Sequence, residues 1–387
     1  MKKYVLFGAG YFGKHALKVL GEDKVEFFVD NDGAKKNKYI DGKQVKIFEE
    51  CKDELIDREV LICTTYYGVI IEQLLENNIK NYSIYKGLIE RSKYYGTDEL
   101  IQNPYINSSD RDLAEDEWMK KNDGLLKKKS INAKVEQYYQ TNHLFHHIEI
   151  ETINRCNGTC EFCPVNSLVD SREKKVMTEE LFKKIIDELS EMNYSGRIAL
   201  FSNNEPFLDK RIIEFHHYTR KKLPNARMHL FTNGTLLTLD KFIEITELLD
   251  ELIIDNYNQE LQLIKPCEEI KEYCEKHPEL KKKVTIVLRK PKEILTSRGG
   301  DAPNRTKVNV DGEISCVNPF QQLIIRPDGK VSLCCNDPLG KITMGDVNDE
   351  SIQDIWYGKR YTHIREAMRN GRGYVDRCKN CDVYVID

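Results

Sequence analysis

The 387-residue chain has no excess of basic residues, and this limits its binding partners. It carries 59 Lys and Arg against 63 Asp and Glu, which gives a formal net charge of −4. Without surplus positive charge, little counterion release is available to drive binding to a nucleic acid or to an anionic membrane. We therefore expect neither nucleic acid nor a membrane among its partners.

Long apolar runs are also lacking. No stretch approaches the roughly 20 apolar residues that cross a bilayer. The N-terminal MKKYVLFGAGYFG has a basic start, but its apolar run is short and ends at glycine, which favours a strand over a signal peptide. Internal repeats and low-complexity tracts are missing as well. We predict a cytoplasmic protein.

Cysteine, in contrast, is abundant, with 12 residues. In a reducing compartment, clustered cysteines indicate metal ligation or catalysis rather than disulfides. One cluster lies in CNGTCEFCP, and a second occupies the last quarter of the chain. Four isolated cysteines lie in helix-like or strand-like segments and are predicted to be buried apolar residues: Cys51, Cys63, Cys267 and Cys274.

The chain divides into four stretches. Residues 1–88 alternate strands and helices, as in a small doubly wound α/β domain. Residues 89–142 are polar and charged, and predict a partly helical linker. Residues 143–305 again alternate strands with helices, which predicts a parallel sheet or barrel with helices outside. In residues 306–387, two strand-like runs flank the turn sequence PDG, which predicts a hairpin, and one helix follows.

The first cysteine cluster, Cys156, Cys160 and Cys163, occupies a short loop after the apolar run HHIEIETINR. Three thiolates can bind three irons of a cubane cluster and leave the fourth iron open to a small bidentate molecule. Taken alone, the three cysteines would also suit a zinc knuckle. The sequence after the cysteines helps to distinguish the iron–sulfur cluster from the zinc knuckle.

This CxxxCxxC motif after a first barrel strand resembles the motif of the radical S-adenosylmethionine (SAM) superfamily. The resemblance implies a 4Fe–4S cluster whose open iron is chelated by the amino and carboxylate groups of SAM. It also implies reductive cleavage of SAM to a 5′-deoxyadenosyl radical, which removes a hydrogen atom from the substrate. The implied fold is a partial (β/α)6 barrel, with Phe162 beside the adenine of SAM.

The sequence LFSNNEP follows the second strand of this barrel. In the family, a Gly- or Asn-rich turn ending in Glu-Pro holds the amino group of SAM, which implies this role for Ser202, Asn203, Asn204 and Glu205. A carboxylate at the carboxyl end of a barrel strand faces the pocket mouth and can pair with an ammonium group. The pair Asn203-Asn204 departs from the more common double glycine.

Polar residues also end the next three strands of the predicted barrel. Because the carboxyl ends of parallel strands meet at one rim, we expect these residues to face the same pocket and to contact SAM. They are Thr232, Asn233, Asp255 and Arg289.

The C-terminal group supplies four thiolates, Cys316, Cys334, Cys378 and Cys381, which is enough for a fully ligated site. A zinc ion held by all four thiolates is one interpretation. The segment also resembles the SPASM/twitch extension of radical SAM enzymes. Its ligand count implies the shorter twitch form with one auxiliary 4Fe–4S cluster.

Two further residues are candidates for catalysis. Cys335 is left over from the four ligands; it is either the second half of a doublet or a thiol that returns a hydrogen atom to a substrate radical, as in an epimerase. Arg298 has a guanidinium group that suits a phosphate or carboxylate. In carbohydrate dehydrogenases that this chain resembles, an arginine near this place faces the substrate; simple surface solvation is the alternative.

The N-terminal GAGYFG opens a helix after a strand, and an acid ends the second strand. Gly8, Gly10, Gly13 and Asp30 thus fit the dinucleotide-binding fingerprint of glycines at a pyrophosphate and an acid at a ribose hydroxyl. The stretch resembles small Rossmann-like domains fused to capsule and surface-polysaccharide enzymes. A dinucleotide, a nucleotide sugar and a purely structural or docking role all remain open.

These features together predict a radical SAM enzyme acting on a sugar, a nucleotide sugar or another small polar metabolite, with a reduced flavodoxin or ferredoxin as electron donor. The leading hypothesis is oxidation of a carbinol carbon to a ketone, with epimerisation as a variant. A peptide maturase is an alternative, but such enzymes usually carry a winged-helix-like leader-peptide domain rather than a Rossmann-like one. A non-enzymatic zinc-bound or sugar-nucleotide-binding scaffold is the alternative from another class.

Overall fold

A computed structural model describes residues 3–64, 67–85, 99–105, 124–305, 308 and 310–384. The chain forms two compact units, Met1–Thr97 and Asp98–Asp387. Of the predicted linker, residues 89–98 and 106–123 lie outside the described residues. Among the described residues, no helix combines the length and hydropathy needed to cross a membrane.

The first unit is built on a six-stranded sheet. Its strands are β1 (Tyr4–Phe7), β2 (Val25–Asp30), β3 (Tyr39–Ile40), β4 (Lys43–Ile47), β5 (Glu59–Ile62) and β6 (Tyr82–Ile84). Its helices are α1 (Tyr11–Leu20), α2 (Phe48–Cys51) and α3 (Tyr67–Glu76). The strand order is β3-β4-β2-β1-β5-β6, parallel throughout except for the β3–β4 pair. The strand order reverses direction at β1, as in doubly wound folds.

Glycine is required where α1 meets the end of β1. A Cβ added at Gly13 would lie 1.9 Å from the carbonyl oxygen of Gly8, so a larger residue would push the helix off the strand. Gly8 itself has a φ of 115°, a conformation that residues with a Cβ rarely adopt. The glycine spacing is therefore used for close packing of helix and strand.

The second unit is built on a nine-stranded sheet. Its strands are β7 (Ile101–Gln102), β8 (His147–Ile150), β9 (Arg197–Ala199), β10 (Arg227–Thr232), β11 (Glu251–Tyr257), β12 (Val284–Arg289), β13 (Gln322–Ile325), β14 (Lys330–Ser332) and β15 (Thr343–Asp346). Its helices are α4 (Gly124–Thr141), α5 (Glu179–Glu191), α6 (Ile212–Lys222), α7 (Leu239–Leu248), α8 (Lys265–Lys276), α9 (Asn318–Gln321), α10 (Ile352–Tyr357) and α11 (Lys359–Arg369). The strand order is β15-β14-β13-β8-β9-β10-β11-β12-β7.

The centre of this sheet is a run of five parallel strands, β8 to β12, in chain order. The helices α5 to α8 connect them. Among the described residues no sixth β/α unit follows β12; β13 instead extends the sheet beside β8, and β7 extends it beside β12, both in parallel. The predicted α/β class is confirmed, with five β/α strands in the place of a six-unit barrel.

The C-terminal part begins with the predicted hairpin. Strands β13 and β14 pair antiparallel, and Gly329 in the turn has a φ of 86°, which a glycine adopts without strain. The single helix predicted after the hairpin is wrong in one respect, because it is two helices, α10 and α11. The break falls at Gly358, whose backbone is extended with a ψ of 168°.

Part of the predicted linker belongs to the second unit, since helix α4 packs there. Ile131 of α4 is fully buried with Ile314 and Tyr384 in one apolar cluster. Asn132 adds two hydrogen bonds to the segment before Cys316. The isolated cysteines Cys51, Cys63, Cys267 and Cys274 are all buried, as predicted.

Candidate active site

The three cysteines of the first cluster lie in a loop after β8, and two of them turn their sulfur atoms towards one glycine. A Cβ added at Gly158 would lie 3.3 Å from the Sγ of Cys156 and 3.9 Å from the Sγ of Cys160. Burial raises the pKa of Cys156 to about 11, and it also raises the pKa of Cys160, with the charge of Cys163 adding to both shifts. A side chain at position 158 would therefore crowd the thiols of Cys156 and Cys160, and glycine avoids this.

Asn166 holds this loop in shape, and the sequence reasoning missed it. Its Nδ2 donates to the carbonyl oxygens of Cys160 (3.1 Å) and Cys163 (2.7 Å). Ser167 N donates to the carbonyl oxygen of Gly158 at 2.8 Å. An asparagine three residues after the last cysteine is a turn-forming residue and was the available signal. The loop is therefore ordered by its own short-range hydrogen bonds.

Among the described residues, no three or more His, Cys, Asp or Glu side chains lie close enough together for a single metal ion. The thiols of a cubane cluster bind separate irons, so they do not need that proximity. The loop of Cys156, Cys160 and Cys163 fits a 4Fe–4S cluster because it offers three of the thiolate donors that such clusters prefer, and because Gly158 places no side chain against the thiols of Cys156 and Cys160.

Glu205 of the NNEP turn is almost fully buried, with 1% of its surface exposed. Its carboxylate accepts hydrogen bonds from Thr232 Oγ1 (2.8 Å), Asn233 N (2.8 Å) and Phe207 N (3.1 Å). Burial raises its pKa, and these donors oppose the shift. Glu205 therefore ties the end of β9 to the end of β10, and its pairing with the ammonium group of SAM stays a prediction.

The two asparagines of the turn have different surroundings. Asn204 Oδ1 accepts from Ser202 N at 2.9 Å, whereas Asn204 Nδ2 is buried without a hydrogen-bond partner among the described residues. A buried donor without a partner costs free energy, which a bound ligand with an acceptor atom would recover. Asn203 points towards the C-terminal part instead, and donates to the carbonyl oxygen of Cys335 at 3.2 Å.

Asn233 brings the end of β10 to the cysteine loop. Its Nδ2 donates to Asn157 Oδ1 at 2.8 Å and lies 3.9 Å from the Sγ of Cys156. Its backbone N–H is held by Glu205. The rim residues of β9 and β10 and the cysteine loop therefore form one hydrogen-bonded group.

The ends of β11 and β12 form a second group. Asp255 Oδ1 lies 3.8 Å from Arg289 Nη1 and has no hydrogen-bond partner among the described residues. Burial raises the pKa of Asp255 to about 6, although the charge of Arg289 lowers it. Phe162 of the cysteine loop packs against Tyr257, with ring centroids 6.0 Å apart. Asp255 and Phe162 thus have the polar oxygen and the aromatic face that a nucleoside requires.

Arg289 forms an ion pair with a second acid, Glu293, which was not predicted from the sequence. Arg289 Nε donates to both carboxylate oxygens of Glu293, at 2.9 and 3.0 Å. Tyr105 Oη donates to the same carboxylate. An acid four residues after an arginine was the signal that could have revealed the pair. Contact between Arg289 and SAM stays a prediction.

The four C-terminal cysteines come from three separate segments and meet in the second unit. Burial raises the pKa of the thiols of Cys334, Cys378 and Cys381, the last to about 11. For each of them the neighbouring cysteines, Cys316 included, raise the pKa further, which places all four within electrostatic range. Their thiolate chemistry and proximity fit an auxiliary 4Fe–4S cluster.

Arg372 joins these segments, and no sequence signal pointed to it. Its side chain is 1% exposed and donates four hydrogen bonds to backbone carbonyl oxygens. The acceptors are Ile314 (3.0 Å), Ser315 (2.9 Å), Cys381 (2.6 Å) and Val383 (3.0 Å). The segment before Cys316 is thereby fastened to the segment around Cys381.

The two predicted catalytic residues, Arg298 and Cys335, lie close to a third residue, Glu149 on β8. Burial raises the pKa of Cys335 to about 12, with Glu149 raising it further and Arg298 lowering it. Burial raises the pKa of Glu149 to about 7, and Ser202 and Arg298 oppose the shift. Glu149 was not predicted from the sequence as a site residue, although an acid within the strand HIEI could have indicated one. Its carboxylate accepts from Gln322 Nε2 at 2.8 Å.

The N-terminal fingerprint residues have a local use in the first unit. Asp30 accepts hydrogen bonds from Ala9 N (2.8 Å) and from Lys35 Nζ (2.9 Å). The carboxylate of Asp30 therefore fixes the backbone of the glycine turn through Ala9. Gly10 has open space where a Cβ would be. A dinucleotide or nucleotide sugar at Gly8, Gly10, Gly13 and Asp30 stays a prediction.

Two regions of the chain match known protein families. Residues 150–278 match the radical SAM superfamily. Residues 316–382 match SPASM, an iron–sulfur cluster-binding domain. The first match contains Cys156, Cys160 and Cys163, and the second contains all four C-terminal cysteines.

Individual proteins similar to this chain also bind or use SAM. An S-adenosyl-L-methionine-dependent 2-deoxy-scyllo-inosamine dehydrogenase from Niallia circulans is 31% identical over 244 residues, which cover 62% of this chain and 93% of that protein. The crystal structure of BtrN in complex with AdoMet and 2-DOIA is 30% identical with a TM-score of 0.53, and the match covers 62% of this chain and 93% of that one. A second BtrN structure, in an open conformation, is 26% identical over the same shares with a TM-score of 0.47.

Proposed function

This chain belongs to the radical SAM superfamily and carries a C-terminal SPASM domain, and we propose that it oxidises a secondary hydroxyl group of an aminocyclitol or a related amino sugar to a ketone. It is a SAM-dependent oxidoreductase with 4Fe–4S clusters, so the enzyme class predicted from the motifs is confirmed. The alternative of a non-enzymatic scaffold is wrong. The relative from Niallia circulans is an inosamine dehydrogenase, and this supports the proposed substrate class.

The observation that carries the proposal is the position of Arg298, Glu149 and Cys335. Arg298 donates a hydrogen bond to Asn203 in the NNEP turn, and the backbone of Cys335 adjoins Cys334. A substrate between these three residues would lie between the proposed SAM site and the proposed auxiliary cluster. An oxidation that removes a hydrogen atom and then a second electron needs this order of groups.

When bound, the cofactors supply hydrogen-atom abstraction by the SAM-derived radical and an acceptor for the second electron. The chain orients the substrate and moves the hydroxyl proton. The guanidinium of Arg298 would donate hydrogen bonds to the substrate oxygen and favour its deprotonated form. Glu149, with a pKa of about 7, would accept the proton, since a general base works best near the ambient pH. The substrate thus loses one hydrogen atom, one proton and one electron.

Epimerisation is the second candidate, and one observation favours it. A pKa of about 12 keeps the Cys335 thiol protonated at neutral pH, and only the S–H form can give a hydrogen atom to a substrate radical. In that reaction the second electron does not leave the substrate. We also propose a reduced flavodoxin or ferredoxin as the electron donor, because reductive cleavage of SAM requires a low-potential electron.

The test is an anaerobic assay of the reconstituted protein with 2-deoxy-scyllo-inosamine and related aminocyclitols. We expect one ketone per 5′-deoxyadenosine, and neither product from the variant with Cys156, Cys160 and Cys163 changed to Ala. Iron should fall from about eight to about four atoms per chain in that variant, since each cubane holds four. Cys335→Ala is the matched control, because it leaves the proposed ligands in place.

The outcomes separate the candidates. Ketone formation that survives Cys335→Ala supports the dehydrogenase. Solvent deuterium at the reacting carbon, lost in Cys335→Ala, would instead establish the epimerase. 5′-Deoxyadenosine without any change in an aminocyclitol would contradict the proposed substrate class.

A further inference from the structure

Asn203 occupies the place where the SAM-binding turn departs from the more common double glycine, and its side chain is used. The residue is 7% exposed. Its Oδ1 accepts a hydrogen bond from Arg298 Nη2, and its Nδ2 donates to the carbonyl oxygen of Cys335 (3.2 Å) and to Ser202 Oγ (3.2 Å). Its backbone N–H donates to Glu151 Oε1 at 3.1 Å. One side chain thus connects the turn after β9 with two distant segments.

The backbone of Arg298 is held from the other side, by the segments that carry the C-terminal cysteines. Ser297 donates from its backbone N–H to Asp382 Oδ1 and from Oγ to the carbonyl oxygen of Asn380, both at 2.8 Å. Gly299 packs so closely that a Cβ there would lie 2.6 Å from the carbonyl oxygen of Asn336. Arg298 itself has a φ of 51°, which is unfavourable for a residue with a Cβ. Its backbone is therefore set by its neighbours.

The side chain of Arg298 is less constrained than its backbone. Its Nε is buried without a hydrogen-bond partner among the described residues, and the hydrogen bond that orients its guanidinium there is the one from Nη2 to Asn203, beside the attraction of the Glu149 charge. An arginine side chain has several rotatable bonds, and an acceptor that fixes its planar end limits the conformations it samples. Glycine at position 203 would provide no such acceptor.

We propose that Asn203 is a positioning residue that holds the guanidinium of Arg298 against the substrate and joins the SAM-binding turn to the loops of the auxiliary cluster. The inference rests on the proposed function, since it assumes that Arg298 contacts the substrate. It explains why this turn has an asparagine in place of the first glycine. Misplacing a substrate-orienting group by about 1 Å can lower a rate about 10²-fold, so the effect should be large.

Two substitutions separate the bond to Arg298 from the bond to Cys335. Asn203→Gly removes both. Asn203→Asp keeps an acceptor for Arg298 and loses the donor to the Cys335 carbonyl oxygen. Asn348→Gly is the matched control, because this asparagine bonds the Asp328 carbonyl oxygen in the exposed hairpin turn, far in sequence from the site.

We expect Asn203→Gly to lower kcat/KM for the aminocyclitol about 10²-fold. Its 5′-deoxyadenosine should exceed its ketone several-fold, because a poorly held substrate escapes the radical. In Asn203→Asp, the ratio of ketone to 5′-deoxyadenosine should return to at least one half. In Asn348→Gly, this ratio should stay near one. A ratio near one in Asn203→Gly would overturn the proposal. An equal loss in Asn203→Gly and Asn203→Asp would overturn the hold of Asn203 on Arg298, because it would assign the effect to the bond with the Cys335 carbonyl oxygen, which both variants lose.

A second measurement needs no substrate. Phenylglyoxal modifies accessible guanidinium groups, and peptide mass spectrometry of the reconstituted protein reports the rate at Arg298. We expect faster modification in Asn203→Gly than in the wild type, and protection in Asn203→Asp. Equal rates in all three would overturn the role of Asn203. Absence of ketone from the wild type would refute the proposed function alone, because the modification rates still test Asn203.

Discussion

The two cysteine sites of the second unit are assembled in different ways. The SAM-side loop lies within residues 156–167 and is ordered by its own turn, with Asn166 bonding carbonyl oxygens three and six residues away. The auxiliary site collects cysteines from three segments up to 65 residues apart in sequence, and Arg372 fastens two of these segments together. A local site can be recognised as a motif, whereas a dispersed one depends on the surrounding fold.

Replacing Arg372 should produce the largest difference between the two sites. Arg372→Met leaves four buried carbonyl oxygens without their donor, at a cost of at least about 3 kcal/mol in the free energy of unfolding. We expect iron to fall from about eight to about four atoms per chain, with cleavage of SAM retained. Iron analysis, EPR and urea titration would measure both effects.

The control for Arg372 is Arg369→Met. Arg369 forms an exposed ion pair with Glu136, which solvent screens, so its replacement should leave both the free energy of unfolding and the iron content close to those of the wild type. Loss of both clusters in Arg372→Met would contradict the conclusion that the two cysteine sites are held by separate interactions.

Glu149 tests the region between the two sites. Its carboxyl pKa of about 7 lies above the ordinary value of 4.5, so the carboxylate that we propose as the base accumulates as the pH rises through about 7. Ketone formation should therefore increase as the pH rises through this range. Glu149→Gln should lower kcat about 10²-fold and remove this dependence.

The pH profile of Glu149→Gln is best read with 5′-deoxyadenosine formation measured in parallel. That reaction does not require the hydroxyl proton to leave, so its pH dependence should be the same in both proteins. An unchanged profile for the ketone in Glu149→Gln would assign the base to another group.

The smallest expected effects come from two matched asparagines, one at each site. Asn166→Ala removes two bonds to the cysteine loop, and Asn132→Ala removes two bonds to the segment before Cys316. Each should cost about 1–2 kcal/mol. We expect Asn166→Ala to speed the loss of the SAM-side cluster on brief exposure to oxygen, and Asn132→Ala to speed the loss of the auxiliary cluster.

EPR of each cluster over time measures these rates. Faster loss of the same cluster in both variants would contradict the separation of the two sites. Equal stability of both clusters in Asn132→Ala would show that helix α4 does not support the auxiliary site.

The chemistry-bearing parts of this protein were readable from its sequence because their residues are close together or have fixed ligand types. CNGTCEFCP, NNEP and the α/β alternation each depend on spacing over a few residues, and they led to the enzyme class that the family matches confirm. The hairpin turn was readable for the same reason. The break between α10 and α11 at Gly358 was not, since one glycine alone does not end a helix pattern.

What required the tertiary structure is the set of partners that each polar group finds. The sequence around Glu205 does not indicate that Thr232 and Asn233 donate hydrogen bonds to its carboxylate. The sequence around Arg372 likewise does not indicate that its guanidinium donates to four carbonyl oxygens. The same holds for Asn203, whose partner Arg298 is 95 residues away. Local spacing sets which chemistry a chain can carry, but hydrogen bonds between distant segments form only where folding brings donor and acceptor to within about 3 Å of each other.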